Sequence, residues 1–220
     1  MSEPIQEGIM REIEEELRKD QFSILWKRYG KVLIGVVFII ISTVASYKVW
    51  QNYDLTNRGH LGERFATIFE LTKKGDGEQA LNALKIFQDE ATQGYQMLAG
   101  FRAAALMANG GDIVGATAAY DKLANDSSLD IIYRDLAILL RTIQQLNINQ
   151  DITSLTNSLA PLSDDKNPWR YTARELIAII AKESGNTTKA RKLFTALIDD
   201  ETTPKGIRLR ARELLTGIAE

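Results

Sequence analysis

The sequence predicts an all-α protein in which a single N-terminal transmembrane helix is followed by an α-solenoid of helical hairpins. Three observations lead to this fold class. An uncharged apolar run of membrane-spanning length lies near the N-terminus. Helix-length apolar patterns then continue to the C-terminus, with no convincing strand pattern among them. These patterns recur at an interval of about 36–38 residues, which is typical of a repeat architecture.

The composition is that of a folded chain and leaves few classes of chemistry open. Of the 220 residues, 45% are hydrophobic and 25% are charged, with a formal net charge of -2. This balance lacks the basic surface with which proteins bind nucleic-acid phosphates, so we expect no nucleic-acid partner. The chain has no cysteine and a single histidine, which excludes a disulfide scaffold and a typical zinc site. We therefore expect no cofactor and no metal.

Residues 1–28 are predicted to form a cytoplasmic amphipathic helix. Apolar residues recur at four-residue intervals, and acidic and basic side chains occupy the remaining faces. The apolar positions are Ile5, Ile9, Ile13 and Leu17. Two interpretations remain open: a helix that rests on the membrane interface or is solvated, and a docking helix for a cytosolic or membrane partner.

Residues 29–50 are predicted to form the transmembrane helix. Their central part, residues 32–47, contains no charge and no proline, and aromatic residues flank it on both sides. A buried core helix would seldom carry aromatic and lysine residues at both ends. A cleaved signal peptide would follow a short basic leader, whereas this segment follows a long stretch rich in acids. We therefore expect residues 29–50 to stay in the lipid bilayer.

The charges on the two sides of this helix predict its orientation. Lys27, Arg28 and Lys31 lie close together on the N-terminal side, whereas Lys48 alone lies directly on the other side. By the positive-inside rule, the N-terminus is cytoplasmic. In a bacterial inner membrane, residues 54–220 then form a periplasmic domain.

Three glycines mark the repeat in residues 54–220. Gly75, Gly111 and Gly185 each precede a small residue by five positions and two large residues by nine and twelve positions. These positions hold Ala80, Leu84 and Phe87, then Ala116, Tyr120 and Leu123, then Ala190, Phe194 and Leu197. The spacing predicts the buried face of one helix in each repeat.

A weaker copy of the pattern follows Asn147, where the expected glycine and alanine are missing. Its positions hold Ile152, Thr156 and Leu159. Asparagine tolerates a left-handed turn nearly as glycine does. We expect the second helix of this repeat to be shorter or looser than its neighbours.

Each repeat is predicted to be a helical hairpin. An apolar pattern of helix length precedes each anchor residue, which supplies the positive φ at which the first helix ends. These first helices cover residues 58–73, 95–109, 129–146 and 169–184. Pro204 opens a final helix over residues 204–219, which caps the stack.

The repeat pattern resembles the tetratricopeptide repeat, whose period is 34 residues, although the tryptophan and glycine signature of its first helix is absent. From about residue 10 onward, the whole chain resembles the YfgM-like family of single-span bacterial inner-membrane proteins, which are described as ancillary subunits of the Sec translocon. The resemblance is carried by EIEEELRKDQFSILWKRYGKVLIGVV at the membrane, YRDLAILL at 133–140, NPWRYTARELIAIIAKESGNTTKARKLFTALIDD at 167–200 and TPKGIRLRARELL at 203–215.

This resemblance implies tetratricopeptide-like helical hairpins and a membrane-anchored protein–protein interaction module. The partners it implies are the Sec translocon, exported client proteins and periplasmic chaperones. Two alternatives remain: a structural scaffold of an envelope or cell-division complex, and a regulator that acts through its cytoplasmic helix.

The candidate partner-binding residues are arginines and aromatic residues, which are common anchors of protein interfaces. On the concave face of the solenoid they would hold an extended peptide. They are Tyr95, Arg102, Tyr133, Arg134, Arg141, Trp169, Tyr171 and Arg174. The alternative is structural: an arginine–acid–leucine triplet recurs at 134–136, 174–176 and 212–214, and these charges would form a ladder that sets the register of the helices.

The sequence gives no support for an enzyme. His60 lies just beyond the membrane segment, and without cysteine no nucleophile is paired with a base in a recognisable pattern. Paired acids such as Asp164 and Asp165 fall in a predicted loop, where solvation and capping explain them. We expect no catalysis and no small-molecule substrate.

Overall fold

A computed structural model describes residues 3–146 and 151–218, with side chains from residue 27 onward except at positions 37, 55, 57 and 58. The described residues are all-α. The helices are α1 Glu3–Lys73, α2 Gly77–Glu90, α3 Gln93–Asn109, α4 Ile113–Ala124, α5 Ile131–Leu146, α6 Ile152–Leu159, α7 Arg170–Glu183, α8 Thr187–Asp199 and α9 Lys205–Thr216, with a 3-10 turn at Pro161–Ser163. The chain divides into two compact units, Met1–His60 and Leu61–Glu220.

The first unit contains the apolar segment predicted to cross the membrane. Within the part of α1 from Lys27 onward, an 18-residue window has a mean hydropathy of 2.2, and 0% of it is buried. By its length and composition, this helix is able to cross a membrane. The amphipathic pattern predicted at residues 5–17 lies outside the side chains that the structure describes.

The sequence divides the N-terminal third into helices at 1–28, 29–50 and 58–73, whereas the structure has one continuous helix, α1. No proline interrupts residues 51–58, and the Thr56 hydroxyl donates to the Asn52 carbonyl at 2.9 Å, as in a regular helical turn. The apparent boundary is a change from apolar to polar side chains. Since the helix depends on backbone hydrogen bonds, this change alone does not end it.

The three glycine anchors end their helices as predicted. Gly75, Gly111 and Gly185 have φ angles of 86°, 86° and 76°, in the left-handed region that favours glycine. After each glycine the next backbone N–H bonds back to a carbonyl five residues earlier, for example Asp112 to Met107 at 2.9 Å. This is the Schellman arrangement that satisfies the last carbonyls of a helix. Asn147 lies outside the described residues.

The residue after each glycine starts the next helix, a feature that the glycine pattern alone did not predict. The Asp112 carboxylate accepts a hydrogen bond from the Gly115 backbone N–H at 2.8 Å. The Asn186 side-chain oxygen accepts one from the Lys189 backbone N–H at 3.1 Å. Short polar side chains in this position satisfy N–H groups that the first helical turn leaves unpaired. At Gly111 and Gly185, the glycine thus ends one helix and the side chain after it caps the next, whereas Asp76 after Gly75 makes no such side-chain bond.

The apolar core of the second unit consists of four clusters among the described residues. Each cluster joins one hairpin to the first helix after it: α1, α2 and α3 share the first, α3, α4 and α5 the second, α5, α6 and α7 the third, and α7, α8 and α9 the fourth. Contacts restricted to neighbours in this way define a solenoid. Helix α9 contributes Ile207 and Ala211 to the last cluster, and its capping role stays a prediction.

The second helices confirm the repeat pattern in three of the four hairpins. All nine residues predicted from the glycine anchors are buried, and Leu84, Phe87 and Phe194 are among the largest fully buried side chains. In the remaining hairpin, α6 has eight residues and is shorter, as expected.

The register predicted for α6 was wrong, however. Ile152 is 42% exposed, and Leu155 joins Leu159 in the core. Asp151 caps this helix, so Ile152 occupies the first turn, and the four-residue step from Leu155 to Leu159 faces α7. The pattern cannot be transferred to α6 by counting from residue 147.

Small residues on the first helices let neighbouring helices approach closely. Three fully buried pairs have the same five-residue spacing: Ala99 with Ala104, Ala137 with Thr142, and Ala173 with Ala178. The Thr142 hydroxyl donates to the Ile138 carbonyl at 2.8 Å, so its burial leaves no polar group unsatisfied. Sequence analysis located the repeat through the second helices and missed the five-residue spacing of small residues on the first helices.

Two buried carboxylates connect successive repeats. Glu175 accepts two hydrogen bonds from Arg210 of α9, from Nε at 2.8 Å and from Nη2 at 2.7 Å. Asp135 accepts from the Asn167 side chain at 2.8 Å. The ladder predicted between the triplets therefore has different partners. Adjacent residues on a helix point about 100° apart, so the arginine and the acid of one triplet cannot face the same neighbour.

We predict that Gly111→Ala lowers stability by about 1–2 kcal/mol, because a β-carbon strains the left-handed conformation. A Cβ at this position meets no other atom within 4 Å, so the cost comes from the backbone rather than from crowding. The loss of stability is measured by thermal unfolding, with circular dichroism as the signal. The matched control is Gly94→Ala, on a helix with equally open space and an ordinary φ, which should be neutral or slightly stabilising. Equal losses in both variants would contradict the assignment.

We predict that Arg210→Met destabilises the repeat stack by about 1–2 kcal/mol, since it leaves the Glu175 carboxylate buried without its partner. The loss of stability is modest because the Arg210 side chain is itself 56% exposed to water, which weakens its ion pair. Denaturant unfolding measures the loss, and adding Glu175→Gln should restore part of it. Arg212→Met, on the exposed side of the same helix, is the control and should change little.

Candidate functional site

In the C-terminal half of the repeat unit, the first helices of successive hairpins lie closer together than the second helices do. Helix α5 contacts α7, and α7 contacts α9, whereas the second helices of neighbouring hairpins make no comparable contact in the described part of the chain. In a solenoid, curvature creates a concave surface on the side where successive elements lie closest together. We therefore locate the candidate binding surface on the first helices.

This side of the stack is basic. Helices α3, α5, α7 and α9 together carry ten lysines or arginines and four acids, whereas α2, α4, α6 and α8 carry five of each. Two of the four acids, Asp135 and Glu175, are buried and hydrogen-bonded within the chain. The first helices therefore present an excess of positive charge, although the whole chain is nearly neutral.

Tyr95 and Arg102, two of the predicted site residues, lie on α3 and face the end of α1. The Tyr95 ring packs edge-on against Phe87, with centroids 5.8 Å apart, and lies 6.1 Å from Phe65. The Arg102 guanidinium lies over the Phe69 ring, 4.6 Å from its centroid. The Arg102 Nε is buried and has no hydrogen-bond partner among the described residues. These two residues thus border one surface.

That surface contains an open cleft of about 480 Å³ between α1 and α3. It is lined by Gly62, Phe65, Ala66, Thr67, Phe69, Glu70 and Tyr95. The rings of Phe65 and Tyr95 are partly buried, and the Phe69 ring is 40% exposed. A mostly apolar hollow with a few polar groups at its edge is suited to an aromatic or aliphatic side chain.

Tyr133, Arg134 and Trp169 lie where α5 and α7 begin. The Trp169 indole donates to the Ile132 carbonyl at 2.9 Å, which ties the start of α7 to the start of α5. Tyr133 is exposed. Arg134 is half-buried, and its Nε has no hydrogen-bond partner among the described residues. Trp169 therefore serves the fold, whereas Tyr133 and Arg134 remain accessible.

The other three predicted residues are engaged inside the fold. Arg141 forms an ion pair with Asp121 of α4. Arg174 donates to the Ser163 carbonyl at 3.0 and 2.8 Å. Tyr171 is buried in the fourth core cluster, and its hydroxyl is hydrogen-bonded to the Thr202 hydroxyl. These contacts hold loops and neighbouring helices in place.

The structure therefore separates the eight predicted residues into several places rather than a single strip. Tyr95 lines the cleft, and Arg102 lies over the Phe69 ring beside it. Tyr133 and Arg134 lie at the start of α5, and the rest have structural partners. Their role in binding a partner stays a prediction. Sequence analysis missed Phe65 and Phe69, although their four-residue spacing in an exposed helix was a usable signal.

The loops that lead into the first helices are acidic. Hydrogen bonds from the Ser128 hydroxyl and backbone N–H hold the pKa of Asp126 below its ordinary value. The hydroxyl and backbone N–H of Thr202 likewise lower the pKa of Asp200. Both carboxylates are thus ionised at neutral pH, and each fixes a turn by accepting hydrogen bonds from the residue two positions later. These acids shape the loops that introduce α5 and α9.

The described residues contain no group of three or more histidine, aspartate or glutamate side chains able to hold a metal ion. The features that the structure brings together at the candidate site are aromatic rings and arginines.

The sequence profile of the tetratricopeptide repeat-like domain family matches residues 24–208, well over half of the chain. Comparisons with curated proteins and with solved structures returned no match. Domains of this kind are typically non-catalytic and act as protein–protein interaction modules. The matched range covers all four helical hairpins, and the chain belongs to the tetratricopeptide repeat-like domain family.

Proposed function

We propose that this protein is a membrane-anchored interaction subunit that works beside the Sec translocon of a bacterial inner membrane, where its periplasmic repeats contact exported proteins or periplasmic chaperones. The observation that carries this proposal is that α1 contains an unburied apolar segment of membrane-spanning length and ends as the first helix of the repeats. A module that binds proteins is thereby joined to a segment suited to lipid.

The family supports the interaction part of the proposal. Repeats of this type bind proteins, and the basic first helices with their aromatic cleft offer a surface for an extended chain. The described residues hold no metal-binding cluster that would favour a different chemistry.

The unburied apolar segment supports anchoring. Side chains such as Ile39 and Trp50 are well exposed in the first unit, and a contiguous apolar surface of this size is unfavourable in water. Lipid around residues 29–50 removes that cost. The basic residues at 27, 28 and 31 support a cytoplasmic N-terminus.

The resemblance to the YfgM-like family supports the location at the translocon. Anchoring also explains how a weak binding surface becomes effective there. Two sites attached to one membrane meet at a high effective concentration, so modest contacts with each emerging chain suffice. Weak contacts also release the client, as a transient partner must.

The proposed orientation predicts which parts of the chain are accessible from the periplasm. The chain has no cysteine, so single cysteines can be introduced without background. A membrane-impermeant thiol reagent added to spheroplasts should label Lys122→Cys, on an exposed position of α4. The matched variant Lys19→Cys should be labelled only after lysis. The opposite pattern would place the repeats in the cytoplasm and overturn the proposal.

The proposed surface predicts where partners crosslink in living cells. A photoreactive residue at Leu98, which is 45% exposed on first helix α3, should capture translocon subunits, exported proteins or a periplasmic chaperone. The control is Ile86, which is 59% exposed on second helix α2 and should capture much less. Mass spectrometry of the adducts identifies the partners.

Two outcomes would replace the proposal with an alternative. Capture of one fixed stoichiometric partner from an envelope or cell-division complex would indicate a structural scaffold. Unchanged crosslinking together with loss of the cellular effect after deletion of residues 1–25 would indicate a regulator that acts through its N-terminal helix.

A further inference from the structure

The cleft between α1 and α3 has a preorganised apolar floor. Phe65, Phe87 and Tyr95 pack on one another with ring centroids 5.7–6.1 Å apart, and Phe87 is fully buried. Tilted and edge-on packing of this kind holds aromatic rings in place. A side chain that enters the cleft therefore meets an ordered surface and does not have to organise one, which lowers the entropic cost of binding.

Gly62 shapes one wall of the cleft. A β-carbon at this position would lie 3.0 Å from the Tyr95 hydroxyl, closer than ordinary packing allows. Because glycine has no side chain, Tyr95 can lie directly against α1. A β-carbon here would require the Tyr95 hydroxyl to shift by a few tenths of an ångström.

Arg102 supplies a positive charge beside this apolar floor. Its guanidinium lies over Phe69, which lines the cleft, and its Nε has no acceptor among the described residues. Helix α3 contains no aspartate or glutamate. Arg102 as a whole is half-buried. Stacking on an aromatic ring leaves the edge of a guanidinium open, so its terminal nitrogens, rather than the buried Nε, are the donors suited to a carboxylate.

Neighbouring charges near the cleft neutralise each other. Arg64 pairs with Glu90 at 2.5 Å, and Lys73 pairs with Glu70 at 2.8 Å. Arg102 has no such carboxylate among the described residues, and it is the one charged residue of α3. The charge that complements this surface is negative.

We propose that this cleft anchors an extended acidic segment of a client protein, in which an aromatic or large aliphatic side chain packs between Phe65, Phe69 and Tyr95 and an adjacent carboxylate binds Arg102. This inference rests on the proposed function and specifies the chemistry of the chain that the repeats select. Clients are distinguished by an apolar residue next to an acid, and basic segments are disfavoured by the positive charge of Arg102.

The test uses the full chain in lipid nanodiscs and a fluorescent octapeptide, Ser-Gly-Leu-Phe-Glu-Glu-Gly-Ser, with binding followed by anisotropy. Two further probes replace both glutamates by glutamine, or the leucine and phenylalanine by alanine. We expect each replacement to weaken binding to the unmodified protein by about tenfold, because each removes one of the two proposed contacts.

Variants of the protein identify the cleft. Arg102→Met should weaken binding of the acidic peptide by about tenfold, and the glutamine peptide should bind this variant no more weakly than the acidic one does. Phe69→Ala, at an exposed side chain that leaves the core intact, should also weaken binding. Arg212→Met removes an exposed arginine from α9, outside the cleft, and should leave binding unchanged.

Several results would overturn the inference. These are equal binding of the glutamate and glutamine peptides, equal losses from Arg102→Met and Arg212→Met, or displacement of the peptide by phosphatidylglycerol vesicles in an Arg102-dependent manner, which would assign the site to lipid headgroups. If Arg102→Met does not fold, the peptide comparison on the unmodified protein and the Phe69→Ala variant decide.

The outcomes distinguish this inference from the proposed function. Loss of peptide selectivity together with retained capture of translocon or client proteins from Leu98 would reject the anchor chemistry alone. Selective peptide binding without such capture would leave the anchor in place and reject the location at the translocon.

Discussion

The constraint on which the repeat unit depends is that no hairpin buries its apolar face alone. Each core cluster needs one hairpin together with the first helix of the next. Close approach is what makes this burial effective, and the fully buried alanine and threonine pairs on α3, α5 and α7 allow it. Since dispersion contacts weaken quickly with distance, a larger residue at these positions would separate the helices and open voids along the stack.

Polar contacts set the register of this stack. The carboxylates of Asp135 and Glu175 are buried between successive repeats, where each accepts hydrogen bonds from a residue of the following repeat. An apolar face tolerates small shifts along a helix, whereas a buried carboxylate that loses its donor is costly. The glycine turns and their polar caps fix each hairpin, and these buried bonds fix one hairpin against the next.

The same arrangement gives the first and second helices different surfaces. The second helices use their large residues for the core and carry balanced charge, while the first helices are basic and close together. Between α1 and α3, aromatic rings and Arg102 meet in an open cleft. A surface of this type recognises a chain by a few anchors.

The sequence by itself determined the helical class, the hairpin repeat, the glycine turns and the apolar segment of α1, because these follow from local periodicity and backbone preference. Tertiary structure decided the rest. The register of α6 depends on packing against α5 and α7. The partners of Asp135 and Glu175 and the use of Tyr171, Arg141 and Arg174 inside the fold depend on residues 9 to 35 positions away. Only packing brings these side chains together. Of the eight predicted residues, it places Tyr95 and Arg102 beside a cleft.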